Sequence, residues 1–355
     1  MISSPELRSG KTISDDKPSP SMSSSPPDEC SRLIPSLPEM NTLLGDSLTP
    51  LSLELLEKNL LKPIHEFLAS GGKKLRVEVI ELGFLTAGGI LNEHHQSQLH
   101  QCAQIIEGLH AGSMIIDDIQ DQSLTRRNQP TLHERYGVAV ALNAGNWLYF
   151  QAIHQIKNLN LKPTQETHLK HYVNEIILKA HFGQALDVGT PISSLPQAGV
   201  KPTCLTAMEL KTGALMALAF DLGAFIADQR PLPSALGSSL GIRFGMALQM
   251  FDDIGNFLSP PPKGKEDLFN DRPSFIWAMA ASLASEEEYV EFLKCVKWLP
   301  DPHPIEKWST EFHLIEKSKK EASHYLWDIF KELKLHPELE KRIKNLFQKL
   351  ESAYG

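Results

Sequence analysis

The sequence predicts an all-α protein, and three observations predict it. From about Leu51 onward, apolar residues recur at helical spacing in long blocks. Alternation of β-branched residues, the mark of half-buried strands, is nearly absent. Between the blocks stand short runs rich in glycine, proline and asparagine.

Taken in order, the blocks predict helices over 51–69, 77–91, 95–122, 132–158, 166–188, 203–227, 234–258, 272–297, 308–333 and 337–352. "SGGKK" separates the first two, and "NLNLKP" stands before 166. "GTPISSLPQAG" precedes 203, "SPPPKGK" precedes 272, and "LPDPHP" precedes 308. Stretches 105–116 and 214–226 are apolar on most faces, which predicts central helices. Residues 1–40 hold 11 Ser and 7 Pro without periodic apolar pattern, so 1–47 reads as a disordered Ser/Pro-rich tail and 48–355 as one folded domain. No short internal repeat is visible.

The chain has 355 residues, 41% of them hydrophobic, enough for a sizeable core. A net charge of −8 and pI near 6.0 argue against general nucleic-acid binding, though not against a small anionic substrate met by a local basic cluster. Cys30, Cys102, Cys204 and Cys295 are far apart with no CxxC pair, which fits a reducing compartment and no zinc site. The most apolar run, "ALMALAFDLGAFIA", is broken by Asp221, so no transmembrane segment is expected. The start of the chain lacks a basic-then-apolar leader pattern, and a cytoplasmic location is expected.

Two acidic clusters carry the chemistry. In "SMIIDDIQD", Asp117 and Asp121 are four apart on one helix face, roughly 6 Å along the axis, and Asp118 points about 100° away. Carboxylates beside apolar residues are costly to bury unless a cation meets them. In "GMALQMFDDIGNF", Asp252 and Asp253 follow another apolar run, with Asn256 four residues past Asp252. Either cluster alone could be an ordinary polar helix end. Two such ends facing one another would cage Mg²⁺ around a pyrophosphate, because Mg²⁺ favours carboxylates together with phosphate oxygens.

Basic counterparts are present. "SGGKKLR" offers Lys73 and Arg76 at a helix start, where glycines let a phosphate approach the backbone. Arg126 and Arg127 follow the first acidic cluster, Lys211 sits inside a mostly apolar helix beside Thr212, and Lys263 and Arg272 bracket the loop after the second cluster. Each has a bland reading as a solvated or snorkelling side chain. Together they exceed what one pyrophosphate needs.

These motifs in this order, "GGKKLR", "LHAGSMIIDDIQDQSLTRRNQPTLHERYG", "HFGQALDVG", "LKTGAL" and "MALQMFDDIGNF", resemble those of the trans-polyprenyl diphosphate synthases, the farnesyl and geranylgeranyl diphosphate synthase family. The likeness runs from about residue 50 to 350. It implies a single-domain bundle of about ten or more helices around a deep apolar cavity, working as a homodimer. It implies an Mg²⁺-dependent prenyltransferase, with three ions per site, joining isopentenyl diphosphate to an allylic diphosphate. By the same resemblance Asp117, Asp121 and Asp252 would be the metal ligands, assisted by Asp118 and Asp253. Arg126, Lys211 and Lys263 would hold the allylic diphosphate. Lys73, Arg76, His110 and Arg127 would hold isopentenyl diphosphate, with Arg272 in the place of a usual lysine. Thr212 and Gln249 would line the carbocation region. Gly112 and Ser113, small residues before Asp117, would leave the tunnel open to geranylgeranyl length or beyond, with Leu109, Ile106, Trp147 or Phe150 as the next barrier.

The chain departs from the family pattern at Asn256 for the last aspartate of the second motif, at Asn128 after the paired arginines and at Val77 after "KKLR". Two other readings therefore stand beside the synthase. One is a terpene cyclase of the same fold acting on a single allylic diphosphate. The other is a non-catalytic subunit, which the intact first acidic motif opposes.

Overall fold

The computed structural model describes residues 33–45, 48–70, 75–127, 129–228, 232–233, 237–260, 264–332 and 336–354. Lys73, Asn128 and Lys263 lie outside the described residues. The expectation of helix throughout holds. The described sheet consists of two residues on each side, Thr125–Arg126 (β1) paired antiparallel with Gln129–Pro130 (β2).

Helix α1 (Leu37–Leu44) opens the described chain, within the segment read from composition as tail. Residues 33–45 belong to the packed body: Leu33 is fully buried, its carbonyl accepts from Gln151 Nε2 at 3.0 Å, and Met40 is buried. Composition hid this because one leucine docked on a distant helix makes no periodic pattern. After α2 (Pro50–Leu56), a π-helical turn at Glu57–Leu61 leads directly into α3 (Lys62–Ala69).

The next helices build the walls. Asn92 caps α5 (Glu93–Gln120) by accepting from the His95 N–H at 2.8 Å, and α5 runs 28 residues through the centre after α4 (Leu75–Thr86). The predicted helix 132–158 is divided at Gly137 (φ 84°) into α6 (Leu132–Tyr136) and α7 (Val138–Gln155). Helix α8 (Pro163–Gly189) begins with proline in its first turn, where the missing N–H costs nothing. Helix α9 (Gln197–Met208), a π turn at Glu209–Gly213 and α10 (Ala214–Asp228) form one continuous rod. By length and composition Gln197–Asp228 could cross a membrane, contrary to the expectation that Asp221 breaks it. Its most apolar window is 72% buried among other helices, the position of a core helix.

Helix α11 (Ile242–Leu258) and the short α12 (Glu266–Phe269) precede α13 (Phe275–Leu283) and α14 (Glu286–Val296). The last two replace one predicted helix, because Ala284 is extended and Ser285 starts a capping box with Glu288. Likewise α15 (His303–Glu311), α16 (Leu314–Trp327) and α17 (Ile329–Glu332) divide the region predicted as 308–333. His313, at φ 52°, breaks α15 from α16. Helix α18 (Pro337–Tyr354) closes the bundle.

The main core runs between α4, α5, α8, α10, α11 and α13, and nearly all of α10 is buried in it. A smaller core of Ile64, Ala111, Ile115, Leu132, Ala141, Ala144 and Leu148 joins α5 to α7. Four of these core helices, α4, α5, α8 and α11, bring polar residues to one cavity.

Candidate active site

A cavity of about 360 Å³ opens between α5, α8, α10, α11 and the segment after α12. Its polar end carries Asp117 from α5 and Asp121 at the C-cap of that helix, Gln184 and Asp187 from α8, Lys211 from the π turn, Asp252 and Asn256 from α11, and Asp267 and Arg272. Its apolar end is lined by Leu109, Ile176, Ile177, Leu215, Met216 and Leu248.

The two acidic motifs thus face one space, as their helix positions require. Asp117 and Asp121 line it together. Lys211 Nζ lies 3.2 Å from Asp117 Oδ1 and 2.6 Å from Asp187 Oδ2. Burial works against that ammonium charge, but Asp117 and Asp187 outweigh it and push its pKa up. The lysine reaches both because Gly183 lets α8 approach the π turn: a Cβ there would sit 2.7 Å from the Lys211 backbone nitrogen. The π turn also aims two consecutive side chains, Lys211 and Thr212, at the cavity. Gln184 Nε2 donates to Asp117 Oδ1 at 2.6 Å, and Arg272 Nη2 stands 3.4 Å from Asp121 Oδ1.

The carboxylates crowd one another. Burial, and behind it Asp117, pushes the Asp121 carboxyl up to about 6. Burial, with Asp187 and Asp121 behind it, pushes Asp267 up to about 7. Crowded acids of this kind call for cations, and an all-oxygen donor set suits a hard divalent ion. Among the described residues, no three His, Cys, Asp or Glu side chains are grouped closely enough to cage a metal by themselves. Mg²⁺ does not need such a cage, since it binds through one or two carboxylates with waters and substrate phosphates. The residues present fit it on those terms.

The basic side is equally concentrated. Arg76 lines the cavity 3.6 Å from Glu107. His110 lines it too, its pKa held well below the ordinary imidazole value by desolvation and then by Arg76, Arg126 and Arg127, so it stands neutral.

The expected site residues take different positions around the cavity. Asp118 is 1% exposed and does not line the cavity: it accepts from Arg126 Nε at 2.8 Å and pairs with Nη2 at 2.7 Å. It therefore holds Arg126, which does line the cavity. Arg127 is exposed, has φ 52° and donates to Ser70 Oγ at 3.2 Å, outside the cavity lining. Asp253 does line the cavity, although only 3% exposed, and accepts from Gln249 Nε2 and the Phe275 N–H. Burial, with Asp267 behind it, pushes its carboxyl up, and those two N–H groups pull it back.

Ser113 lines the cavity, but Gly112 does not. A Cβ at Gly112 would lie 2.8 Å from the Gly145 carbonyl oxygen and 3.3 Å from the Tyr149 ring, so this glycine serves the α5–α7 crossing. The proposed barriers divide as well. Leu109 lines the cavity and Ile106 is fully buried beyond the lining. Phe150 is 72% exposed and Trp147 packs on the smaller core. The aromatic residue of α7 that lines the cavity is Tyr149. Its ring meets His181 edge to face with centroids 5.5 Å apart.

Gln184, Asp187, His181 and Asp267 were missed as site residues. The first three share a helix face at spacings of three, a periodicity that "HFGQALDVG" already carried. Asp267 sits on a four-residue helix and had no sequence pattern to mark it.

The polyprenyl synthetase family model matches residues 57–307, and the chain belongs to that family. It is 32% identical over 159 residues to a geranylgeranyl pyrophosphate synthase of Rhodocybe pseudopiperita, covering 43% of this chain and 44% of the relative. It is 28% identical over 262 residues to a copalyl diphosphate synthase of Talaromyces verruculosus, covering 72% of this chain and 25% of the relative. The chain thus spans less than half the length of either. The fold is shared with the Corynebacterium glutamicum geranylgeranyl pyrophosphate synthase solved with isoprenyl diphosphate and magnesium (TM-score 0.69, 18% identity, 92% of this chain and 96% of that one).

Proposed function

We propose that the protein is a prenyltransferase that condenses isopentenyl diphosphate head-to-tail with an allylic prenyl diphosphate. The product is geranylgeranyl diphosphate or a similar or longer all-trans prenyl diphosphate. The observation that carries this reading is the double basic set in one cavity. Lys211 and Arg272 stand among the aspartates, while Arg76 and His110 add cationic and hydrogen-bonding capacity that a one-substrate cyclase does not require.

Asp117, Asp121 and Asp252 would hold Mg²⁺, three ions per site, and when bound the metal draws charge from the departing diphosphate. Lys211, Arg126 and Arg272 bind the same leaving group. The allylic C–O bond breaks, the isopentenyl double bond supplies the electron pair for the new C–C bond, and a proton passes to the departing diphosphate to regenerate an alkene. Arg76 orients the isopentenyl diphosphate, with bidentate contact suited to phosphate. Leu215, Met216 and Leu248 exclude water from the cation.

A homodimer and a cytoplasmic location belong to the same proposal. Leu142 and Phe150 on α7, with Leu178 and Phe182 on α8, are large apolar residues exposed on the described chain and suit a second copy. Leu142→Glu should convert the dimer to monomer in sedimentation.

The deciding experiment supplies labelled isopentenyl diphosphate, an allylic primer and Mg²⁺. A synthase consumes both substrates. Consumption of a long allylic diphosphate alone, giving a cyclic hydrocarbon, would replace this reading with the cyclase.

A further inference from the structure

Thr212 stands where the polar end of the cavity gives way to the apolar end. Lys211 before it touches Asp117 and Asp187, and Leu215 and Met216 after it are apolar lining. The Thr212 hydroxyl donates to Gln249 Oε1 at 2.8 Å. Gln249 Nε2 donates to Asp253 Oδ1 at 2.7 Å. The backbone N–H of Phe275, first residue of α13, donates to Asp253 Oδ2 at 2.6 Å.

Each link fixes the direction of the next. A backbone N–H only donates, so Phe275 holds Asp253 as an acceptor. Gln249 Nε2 is the atom that meets the other carboxyl oxygen, at 2.7 Å, so its NH₂ is turned toward Asp253. The Gln249 carbonyl then faces Thr212, which gives up its single proton. What remains toward the cavity is the pair of lone pairs on the threonine oxygen.

We propose that Asp253 is a positioning residue that sets the polarity of Thr212. Acting through Gln249, it makes the threonine present lone pairs, never its proton, to the allylic carbon as positive charge develops. The inference rests on the allylic chemistry proposed above and assigns Asp253 a task distinct from that of Asp252. A dipole fixed before reaction, in a site poor in water, stabilises developing charge without reorganising.

Asp253→Asn tests it without changing shape. Phe275 N–H still requires an acceptor, so the new carbonyl takes it and the new NH₂ faces Gln249. Gln249 turns over and donates to Thr212, whose proton is then free to point into the cavity. The readout is calorimetry with Mg²⁺ and two inert ligands. One is an ammonium analogue with nitrogen in place of the ionising carbon, and the other is a thiolodiphosphate, whose prenyl group carries no positive charge. Asp253→Asn should weaken the ammonium analogue about tenfold or more, the scale of a misdirected preorganised group, and spare the thiolodiphosphate and the Mg²⁺ requirement. Thr212→Val should weaken the ammonium analogue in the parent protein but strengthen it in the Asp253→Asn background, because it removes the misdirected proton.

Equal loss of both ligands, or a raised Mg²⁺ requirement, would make Asp253 a metal or diphosphate group and overturn the proposal. Additive losses in the double variant would overturn it too. Should Asp253→Asn not fold, Gln249→Met cuts the same relay, and an unchanged affinity for the ammonium analogue in that variant would count against it. Binding is read without turnover, so a failure to consume isopentenyl diphosphate would strike the condensation reading separately.

Discussion

Replacing Ser113 and Gly112 in turn should give opposite outcomes, although the two residues are adjacent. Ser113 lines the cavity, and its hydroxyl donates to the His110 carbonyl within its own helix at 2.8 Å. Ser113→Phe adds a net five heavy atoms to the tunnel, as many as the carbons of one isoprene unit. The main product should therefore shorten by one unit, because a filled channel leaves no volume for the next. Gly112 faces α7, and the Cβ of Gly112→Ala would meet the Gly145 carbonyl oxygen at 2.8 Å and Leu148 Cβ at 3.3 Å. Helix backbones cannot swing aside as a flexible side chain can, so Gly112→Ala should cost about 1–3 kcal/mol, the usual scale of overpacking. The assays are chromatography of dephosphorylated products and thermal unfolding of both variants. An unchanged product from Ser113→Phe would refute the tunnel assignment. A shortened product from Gly112→Ala at full stability would refute the placement of that glycine.

Asp117→Ala should lower turnover by about a hundredfold or more with its helical circular dichroism intact, since it removes leaving-group stabilisation. EDTA should abolish activity and Mg²⁺ restore it, and a near-normal rate in either case would exclude the metal assignment. Arg76→Ala should raise KM for isopentenyl diphosphate far more than KM for the allylic partner, as separate titrations of each substrate will read. Asp121 and Asp267 are pushed up to about 6 and about 7 from 3.8, so the native state binds these protons more tightly than the unfolded chain. The stability they contribute is complete below about pH 4 and is lost as pH rises through 6 to 7. The metal-free protein should then lose part of its Tm between pH 5 and 8, and Asp267→Asn should lose less. Equal slopes for the two proteins would contradict that coupling.

The chain of helices was legible because a buried helix writes its period into the sequence. Long blocks such as Glu93–Gln120 and Pro163–Gly189 were read nearly whole. Their breaks were less legible: Ala284 and His313 end helices through backbone angles that no composition announces. The acidic motifs, Arg76, Lys211 and Thr212 were readable as chemistry, since spacing of four on a helix places carboxylates on one face whatever surrounds it.

What the sequence could not decide was which neighbour each side chain meets. Asp118 and Asp253 look like their neighbours Asp117 and Asp252, yet a rotation of about 100° sends them to Arg126 and to the N–H of Phe275. Gly112 and Ser113 look equally small, yet one faces α7 and the other faces the cavity. Local sequence determines the face a residue occupies. What that face touches is set by other elements of the chain, a β-turn segment for Asp118 and the start of α13 for Asp253, and only packing brings those together.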